Sequence, residues 1–150
     1  MRNRADILVQ SDYDLKLVVQ VRGGGRSSAD WAARFRRNLV EHQVIPKTKY
    51  FMLALPDYLY LWKEKNILET VPPDCTVRTV KVLQKYLTTL DTEPLRIAAE
   101  ALQLALAGWL RDSMFFPKRP PAGSDAYKLL VESGLLDAID KGEVTTQAHL

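Results

Sequence analysis

The chain has little that could support cysteine or histidine chemistry. Its 150 residues include one cysteine, Cys75, and two histidines, His42 and His149. A single cysteine excludes an intramolecular disulfide and a zinc site built on cysteines, and it fits a reducing compartment. Nothing in the sequence puts either histidine beside Cys75 as a base. We therefore interpret Cys75 as structural rather than catalytic.

Long apolar runs are also missing. The most apolar segment, 98–110, is interrupted by Glu100 and Gln103, and no run is long enough to span a bilayer. The apolar stretch before Ser11 is too short for a secretory signal peptide. We therefore expect a cytoplasmic protein without a membrane partner.

Charge of one sign does not dominate the chain. The formal net charge is +3 and 47% of the residues are hydrophobic, which is enough for a real core. A charge this small permits contact with phosphates but does not require it. The length predicts a single domain over residues 1–150, with a motif-bearing sheet and helix in 1–65 and a helical part in 76–142.

The first third of the chain predicts a hairpin followed by a helix. Residues 6–10 and 15–22 form two apolar strands, separated by a turn at 11–14, and should pair antiparallel. Three glycines follow, but they lack the Gly-Lys-Ser or Gly-Lys-Thr of a phosphate-binding loop. Ser28 is a predicted N-cap of a helix that ends near His42, with Trp31, Phe35 and Leu39 as its buried stripe.

The remaining elements predict more sheet and then helices. Strands are expected at 49–55 and 58–62 around the turn at Pro56-Asp57, and helices at 79–87 and 94–110. Two short helices should lie within 124–141, followed by a frayed tail from Glu143. The pattern predicts an α/β fold (an α+β mixed sheet) of about four strands with a central helix and C-terminal helices.

Three polar residues in the hairpin are candidates for a site. Asp6 opens the first strand, and Gln20 and Arg22 lie two positions apart on the second, so they share one face. With this motif, the element order and the segment 55–58 (Leu-Pro-Asp-Tyr), the chain resembles the restriction-endonuclease-like superfamily of PD-(D/E)xK nucleases. More narrowly, it is similar to small bacterial proteins of that fold, familiar from cyanobacteria. The resemblance covers most of the chain and implies that Asp6, Gln20 and Arg22 take the catalytic positions.

The resemblance also implies a Mg²⁺ or Mn²⁺ ion held by Asp6 and Gln20, but the motif departs from the family pattern. Gln20 provides a neutral amide in place of a carboxylate, and Arg22 replaces lysine with a group that is always protonated. The loss of one carboxylate removes much of the attraction for a divalent ion. We therefore expect a degenerate site without a cofactor, in which Asp6 and Arg22 form an ion pair. The superfamily core also has a helix, and often a strand, before the Asp-bearing strand, and none precedes Asp6 here.

Three functions remain open at this point. The preferred one is a non-catalytic nuclease-fold protein that binds nucleic acid, with DNA as a candidate partner, or that binds a protein or itself. The second is an active Mg²⁺- or Mn²⁺-dependent DNA endonuclease with a variant motif. The third is an oligomeric interaction module, such as a homodimer formed through the helix 95–110, the strand 58–62 and Phe115-Phe116.

Basic and aromatic residues suggest where a nucleic acid would bind. Tyr58, Tyr60 and Trp62 could stack on bases, although alternating aromatics on a strand favour packing. Several arginines near the predicted helix could contact phosphates if its N-terminus points to the motif, and a solvated helix face is the alternative. The candidates for this contact are Arg26, Arg34, Arg36 and Arg37.

Overall fold

A six-stranded mixed sheet forms the centre of the molecule. The computed structural model describes residues 4–42, 48–63, 70–87, 98–115 and 119–149. The strands are β1 (Arg4–Ser11), β2 (Asp14–Val21), β3 (Tyr50–Ala54), β4 (Tyr58–Lys63), β5 (Cys75–Arg78) and β6 (Glu143–His149), in the order β5-β4-β3-β2-β1-β6. β2 and β3 are parallel, and the other neighbouring pairs are antiparallel. The predicted α/β mixed sheet is confirmed, but about four strands was too low a number.

Five short or medium helices accompany the sheet in the described part of the chain. They are α1 (Ala29–Glu41), α2 (Thr79–Leu83), α3 (Ala99–Phe115), α4 (Asp125–Tyr127) and α5 (Leu135–Ala138). α4 continues into a π-helical turn at Lys128–Glu132, and Gly134, with φ +81°, separates this turn from α5. The two predicted C-terminal helices are therefore present, although the second is shorter than expected. None of the helices described is both long and apolar enough to cross a bilayer.

The predicted hairpin of β1 and β2 is confirmed. Ser11 pairs with Asp14, so Asp12 and Tyr13 alone form the turn. Both have left-handed backbones, with φ of 53° and 65°. A two-residue turn of this kind matches the right-handed twist of the strands that it joins. It brings β1 back alongside β2 in the register Ile7 to Val19.

α1 crosses over one face of the sheet and connects β2 to the parallel strand β3. Ser28 caps it as predicted, because its Oγ accepts a hydrogen bond from the Trp31 backbone N at 3.1 Å. The predicted buried stripe is wrong in part. Of its three members only Leu39 is buried, while Trp31 is 38% exposed and Phe35 is half-buried. The helix instead meets the sheet through Ala32, Ala33, Arg36 and Leu39. Small alanine side chains allow this close approach, which leaves the larger rings at the border.

α3 and the C-terminal helices cover the opposite face. Leu102, Leu106 and Leu110 are fully buried and form the apolar stripe of this helix. They belong to one cluster with the β1 and β2 residues Ile7, Val9, Leu17 and Val19. α3 extends beyond the predicted end to Phe115, and the predicted start at residues 94–97 lies outside the described residues. The sheet is thus enclosed by a helical layer on each face.

Both outer strands of the sheet were missed by the sequence prediction. β5 lies in a segment expected to be irregular, and Cys75 at its start pairs with Leu61 of β4. The tail from Glu143 is not frayed but forms β6, in which Thr146 pairs with Ile7. Gly142 permits this pairing, because a Cβ on it would lie 2.8 Å from the Gln10 carbonyl oxygen. Among the described residues β6 pairs only with β1, and its Glu143, Thr145 and Thr146 side chains are exposed, as suits the polar composition of an outer strand.

Candidate nucleic-acid interface

The Asp6 carboxylate is bound to the backbone of β2. Paired positions between β1 and β2 end at Ile7 and Val19. One residue earlier, Asp6 Oδ2 accepts a hydrogen bond from the Val21 backbone N at 2.7 Å. This side-chain hydrogen bond thus continues the contact between β1 and β2 beyond their last backbone pair. An oxygen used in this way is less available to a metal ion or a water molecule.

Gln20 lies inside the protein. It is 4% exposed, and strand alternation puts it on the same face as Val18, in the layer between the sheet and α1. A buried amide must be hydrogen-bonded to be tolerated there. Gln20 is therefore part of the packed layer rather than an open ligand.

Arg22 does not form the predicted ion pair with Asp6 in the part of the chain that the structure describes. Its backbone N donates to the Ala54 carbonyl at 3.0 Å, which continues the β2–β3 ladder. Its guanidinium carbon lies 5.3 Å from the centroid of the Phe35 ring on α1. The expected pair is wrong for a geometric reason. The carboxylate turns in the plane of the sheet toward Val21, whereas Arg22 turns out of that plane toward the helix.

The residues at the motif do not fit a Mg²⁺ or Mn²⁺ ion. These ions take several oxygen ligands, mostly carboxylates. The motif offers one carboxylate that is already hydrogen-bonded and one buried neutral amide, next to a cation. Among the described residues, no three or more His, Cys, Asp or Glu side chains converge to hold a metal.

An exposed stack of rings and charge lies beside the motif. The Trp31 and Phe35 rings stack with centroids 5.2 Å apart and planes 23° apart, and Arg22 lies over Phe35. Trp31 is 38% exposed and Arg22 is exposed. We refer to Arg22, Trp31 and Phe35 as the aromatic ledge. A flat ring at the surface next to a guanidinium is the kind of surface on which a nucleic-acid base stacks.

The four arginines proposed to contact phosphates do not lie together. Arg34 is exposed and follows Trp31 by three residues, so the two are neighbours on the helix surface. Arg37 also lies on α1, and its Nη1 forms an ion pair with Glu41 Oε2 at 3.7 Å. Arg26 is exposed in the connection before α1. Arg26 and Arg34 are thus the two exposed arginines of this set without an ion-pair partner among the described residues, and only Arg34 is a helix-surface neighbour of Trp31.

Arg36 is a correction to the proposed phosphate contacts. It is only 4% exposed, and its guanidinium carbon lies 5.6 Å from the centroid of the Trp62 ring, beneath α1. Its Nε and Nη1 atoms have no hydrogen-bond acceptor among the described residues. Burial lowers the pKa of this guanidinium, and the negative charge of Asp74 opposes that shift. A side chain in this position cannot reach a phosphate backbone.

A hydrogen-bond network fixes the loop between β2 and α1. The Ser27 backbone N donates to Asp57 Oδ2 at 2.7 Å, and Ser27 Oγ donates to Asp57 Oδ1 at 2.8 Å. The Tyr60 hydroxyl lies 2.7 Å from the same Oγ, and burial raises the pKa of Tyr60. Sequence analysis missed Ser27. The Pro-Asp turn at 56–57 was the available signal, since such a carboxylate commonly binds nearby backbone N–H groups.

The other aromatic and apolar candidates are mostly core. Tyr60 and Trp62 are each 1% exposed, whereas Tyr58 is 36% exposed. On α3, Leu104 and Phe115 are 72% and 62% exposed, and Phe116 lies outside the described residues. Cys75 is half-buried and burial raises its pKa to about 11, which does not suit a nucleophile. The homodimer stays a prediction.

Comparison with known proteins yields no relative: no family model, no curated protein and no solved structure matches this chain. The resemblance to the nuclease superfamily therefore depends on the motif and element order of the chain itself.

Proposed function

We propose that this chain is a catalytically degenerate nuclease-fold protein that binds single-stranded nucleic acid on the aromatic ledge. The observation that carries the proposal is the exposed stack of Trp31 on Phe35 with the Arg22 guanidinium above it. Bases of any sequence stack on such a surface, and each stacked base contributes about 1–3 kcal/mol. Arg34, three residues after Trp31 on the same helix, then supplies charge for the phosphates between bases.

The absence of catalysis in this proposal follows from the donor set of the motif. Phosphodiester cleavage with a metal needs an ion to polarise the phosphate and to activate a water molecule. Asp6 is hydrogen-bonded to Val21, Gln20 is neutral and buried, and Arg22 lies on Phe35. We therefore expect binding without cleavage, on DNA and RNA alike.

The topology supports the family part of the proposal. A hairpin, a crossover helix and a parallel third strand follow the order that the resemblance implies. The superfamily core often has a strand before the Asp-bearing one. Here β6 pairs with the edge of β1 that faces away from β2, so the opposite end of the chain supplies a partner for β1.

The tryptophans give a direct test. The chain has three, and Trp62 and Trp109 are 1% and 6% exposed, so Trp31 alone lies at the surface. Titration with a short unstructured oligonucleotide should quench the fluorescence of Trp31, and Trp31→Phe should abolish that change. Anisotropy of a labelled oligonucleotide should show that Trp31→Ala weakens binding about five- to hundredfold. Arg34→Ala should also reduce the dependence of affinity on salt by about one released counterion.

A matched control separates this site from general attraction to a basic protein. Arg111 is also exposed, but it lies on α3, across the sheet from α1. Arg111→Ala should leave the affinity unchanged. Quenching that persists in Trp31→Phe, or an equal loss in Arg111→Ala, would contradict the proposal. Cleavage of any oligonucleotide with Mn²⁺, lost in Asp6→Ala, would instead favour the active nuclease.

A further inference from the structure

A cleft of about 500 Å³ opens at the sheet edge where the parallel strands β2 and β3 end. Three connections form its walls. The β2–α1 connection contributes Arg26 and Ser27, the β3–β4 turn contributes Asp57 and Tyr58, and the β5–α2 junction contributes Arg78 and Lys81. The Trp31 and Phe35 rings do not line it. It is therefore a second surface, and it is large enough for a small organic ligand.

Hydrogen bonds hold these walls in place. Ser27 binds both oxygens of Asp57, which joins the first wall to the second. Thr79 joins the second wall to the third, since its Oγ1 donates to the Leu55 carbonyl at 2.6 Å and its backbone N donates to the Asp57 carbonyl at 3.1 Å. A ligand thus enters a cleft that is already formed, and little ordering entropy opposes its binding.

The charge of the cleft favours an anion. Asp57 is the acidic residue in the wall, and its carboxylate accepts three hydrogen bonds, from the Ser27 N and Oγ and from the Tyr58 backbone N at 2.9 Å. Arg78 is partly neutralised, because its Nε lies 3.6 Å from Asp125 Oδ2. Arg26 and Lys81 have no ion-pair partner among the residues that the structure describes. Two cations are therefore available to a phosphate.

The cleft also has a flat aromatic wall. The Tyr58 ring is 36% exposed and lies 6.0 Å from the ring of the buried Tyr60, at a tilt of 44°. This contact restrains a ring that is partly exposed and belongs to the lining of the cleft. Val80 adds an aliphatic surface beside it. A ligand that satisfies both the cations and the ring carries a phosphate and a flat heterocycle.

We propose that this cleft binds a nucleoside monophosphate, with the phosphate held by Arg26 and Lys81 and the base against Tyr58. The free nucleotide and the phosphorylated end of a nucleic-acid strand share this chemistry. The proposal goes beyond the proposed function, because it adds a second ligand and a second surface. Its decisive variants, at Tyr58 and Lys81, differ from those that test the aromatic ledge.

The experiment is a calorimetric or amide-NMR titration of the full chain with AMP and UMP at low salt. We expect saturable binding below about 1 mM, with adenosine and inorganic phosphate each at least about tenfold weaker, since each makes only part of the contacts. Tyr58→Ala should weaken AMP binding about five- to hundredfold, and Tyr58→Phe should retain it. Lys81→Ala should weaken it about tenfold.

Lys85 provides the matched control for charge. It is exposed four residues after Lys81 and does not line the cleft, so Lys85→Ala should leave the affinity unchanged. No saturable binding by the folded wild type, an equal loss in Lys85→Ala, or inorganic phosphate binding as tightly as AMP would each overturn the proposal. All variants are checked for wild-type thermal unfolding first.

Two further arms identify the source of the nucleotide and separate the two proposals. Displacement of AMP by a 5′-phosphorylated oligonucleotide, but not by its hydroxyl-terminated form, supports the cleft as a site for strand ends. Displacement by neither supports the free nucleotide as the ligand. In Trp31→Ala, AMP binding should stay unchanged even if oligonucleotide binding is lost, so failure of one proposal is distinguished from failure of the other.

Discussion

Replacing Arg36 by methionine removes a charge from the interior while filling most of the same space. The side chain is 4% exposed beneath α1, with its guanidinium 5.6 Å from the Trp62 ring centroid. Its Nε and Nη1 lack acceptors in the described structure. Buried donors without partners cost about 1–3 kcal/mol each, and the buried charge adds to this. The contact with Trp62 offsets about 2 kcal/mol.

Methionine avoids both costs and keeps an apolar contact with Trp62 through its sulfur. The nearby Asp74 does not lose its only partner, because its Oδ2 also accepts from the Lys63 backbone N at 2.7 Å. We therefore expect Arg36→Met to raise the free energy of unfolding by about 1–3 kcal/mol. For a chain of this size, each kcal/mol raises Tm by about 2–4 °C.

Urea unfolding followed by tryptophan fluorescence, together with calorimetry, measures this change. Arg36→Ala is the informative second variant, because it removes the charge but leaves a cavity, and it should be about 2–5 kcal/mol less stable than Arg36→Met. Arg34→Met makes the same exchange at an exposed position and should change stability by less than about 0.5 kcal/mol. A loss of more than about 1 kcal/mol in Arg36→Met would refute the reasoning, because it would mean that the guanidinium makes net stabilising contacts.

Three other predictions follow from described contacts. Tyr13 is fully exposed with φ 65°, so Tyr13→Gly should raise the free energy of unfolding by about 0.5–1 kcal/mol, and a loss of stability in urea unfolding would contradict this. Burial raises the pKa of Cys75 from 9.0 to about 11, so its thiolate fraction at pH 8 falls about 100-fold. A thiolate with a higher pKa is also a stronger nucleophile, which offsets part of this loss, so Cys75 should react with Ellman's reagent about tenfold slower than a small free thiol. An equal rate would argue against its burial. Burial and the Asp112 carboxylate raise the pKa of Tyr86 from 10.0 to about 12, so the stability tied to its proton is complete below pH 10 and is lost as pH rises toward 12. As pH rises from 10 toward 12, the free energy of unfolding of Tyr86→Phe should therefore fall less steeply than that of the wild type. Equal slopes in urea unfolding across this pH range would show that the Tyr86 hydroxyl does not contribute.

The sequence could predict the elements whose signals are local. The hairpin, the capped helix α1 and the pair β3–β4 each follow from residues that are neighbours along the chain, such as the turn before Asp14 and the cap at Ser28. β6 could not be predicted in this way. Its residues are polar, and its strand conformation depends on β1, which lies at the other end of the chain. Local propensity contains no information about such a partner.

The orientation of α1 was also beyond local reasoning. Two stripes recur at helical spacing, one through Trp31 and Phe35 and the other through Ala32 and Arg36. Hydrophobicity favours the first, because an arginine is rarely buried. The stripe through Ala32 and Arg36 is buried because the small alanine side chain lets the helix approach the sheet closely. That distance is set by tertiary packing and cannot be read from the helix sequence.

The position of the motif residues in the fold could be predicted from the sequence, whereas their contacts could not. Asp6, Gln20 and Arg22 do lie at one end of the hairpin, as the spacing indicated. What the spacing could not show is that Asp6 bonds to the Val21 backbone and that Arg22 bonds to no carboxylate there but lies on Phe35. Those outcomes depend on where β1 stops pairing and on where the ring of a later helix lies.

The pairing of β6 with β1 has a consequence during synthesis. β1 contains Ile7, Leu8 and Val9, and until β6 has been made one side of that strand carries backbone N–H and C=O groups without partners. An apolar strand with an open side is a template for pairing with another chain. A chain in which β1 is folded but β6 has not yet paired is therefore prone to aggregate, and deletion of β6 would make that hazard permanent.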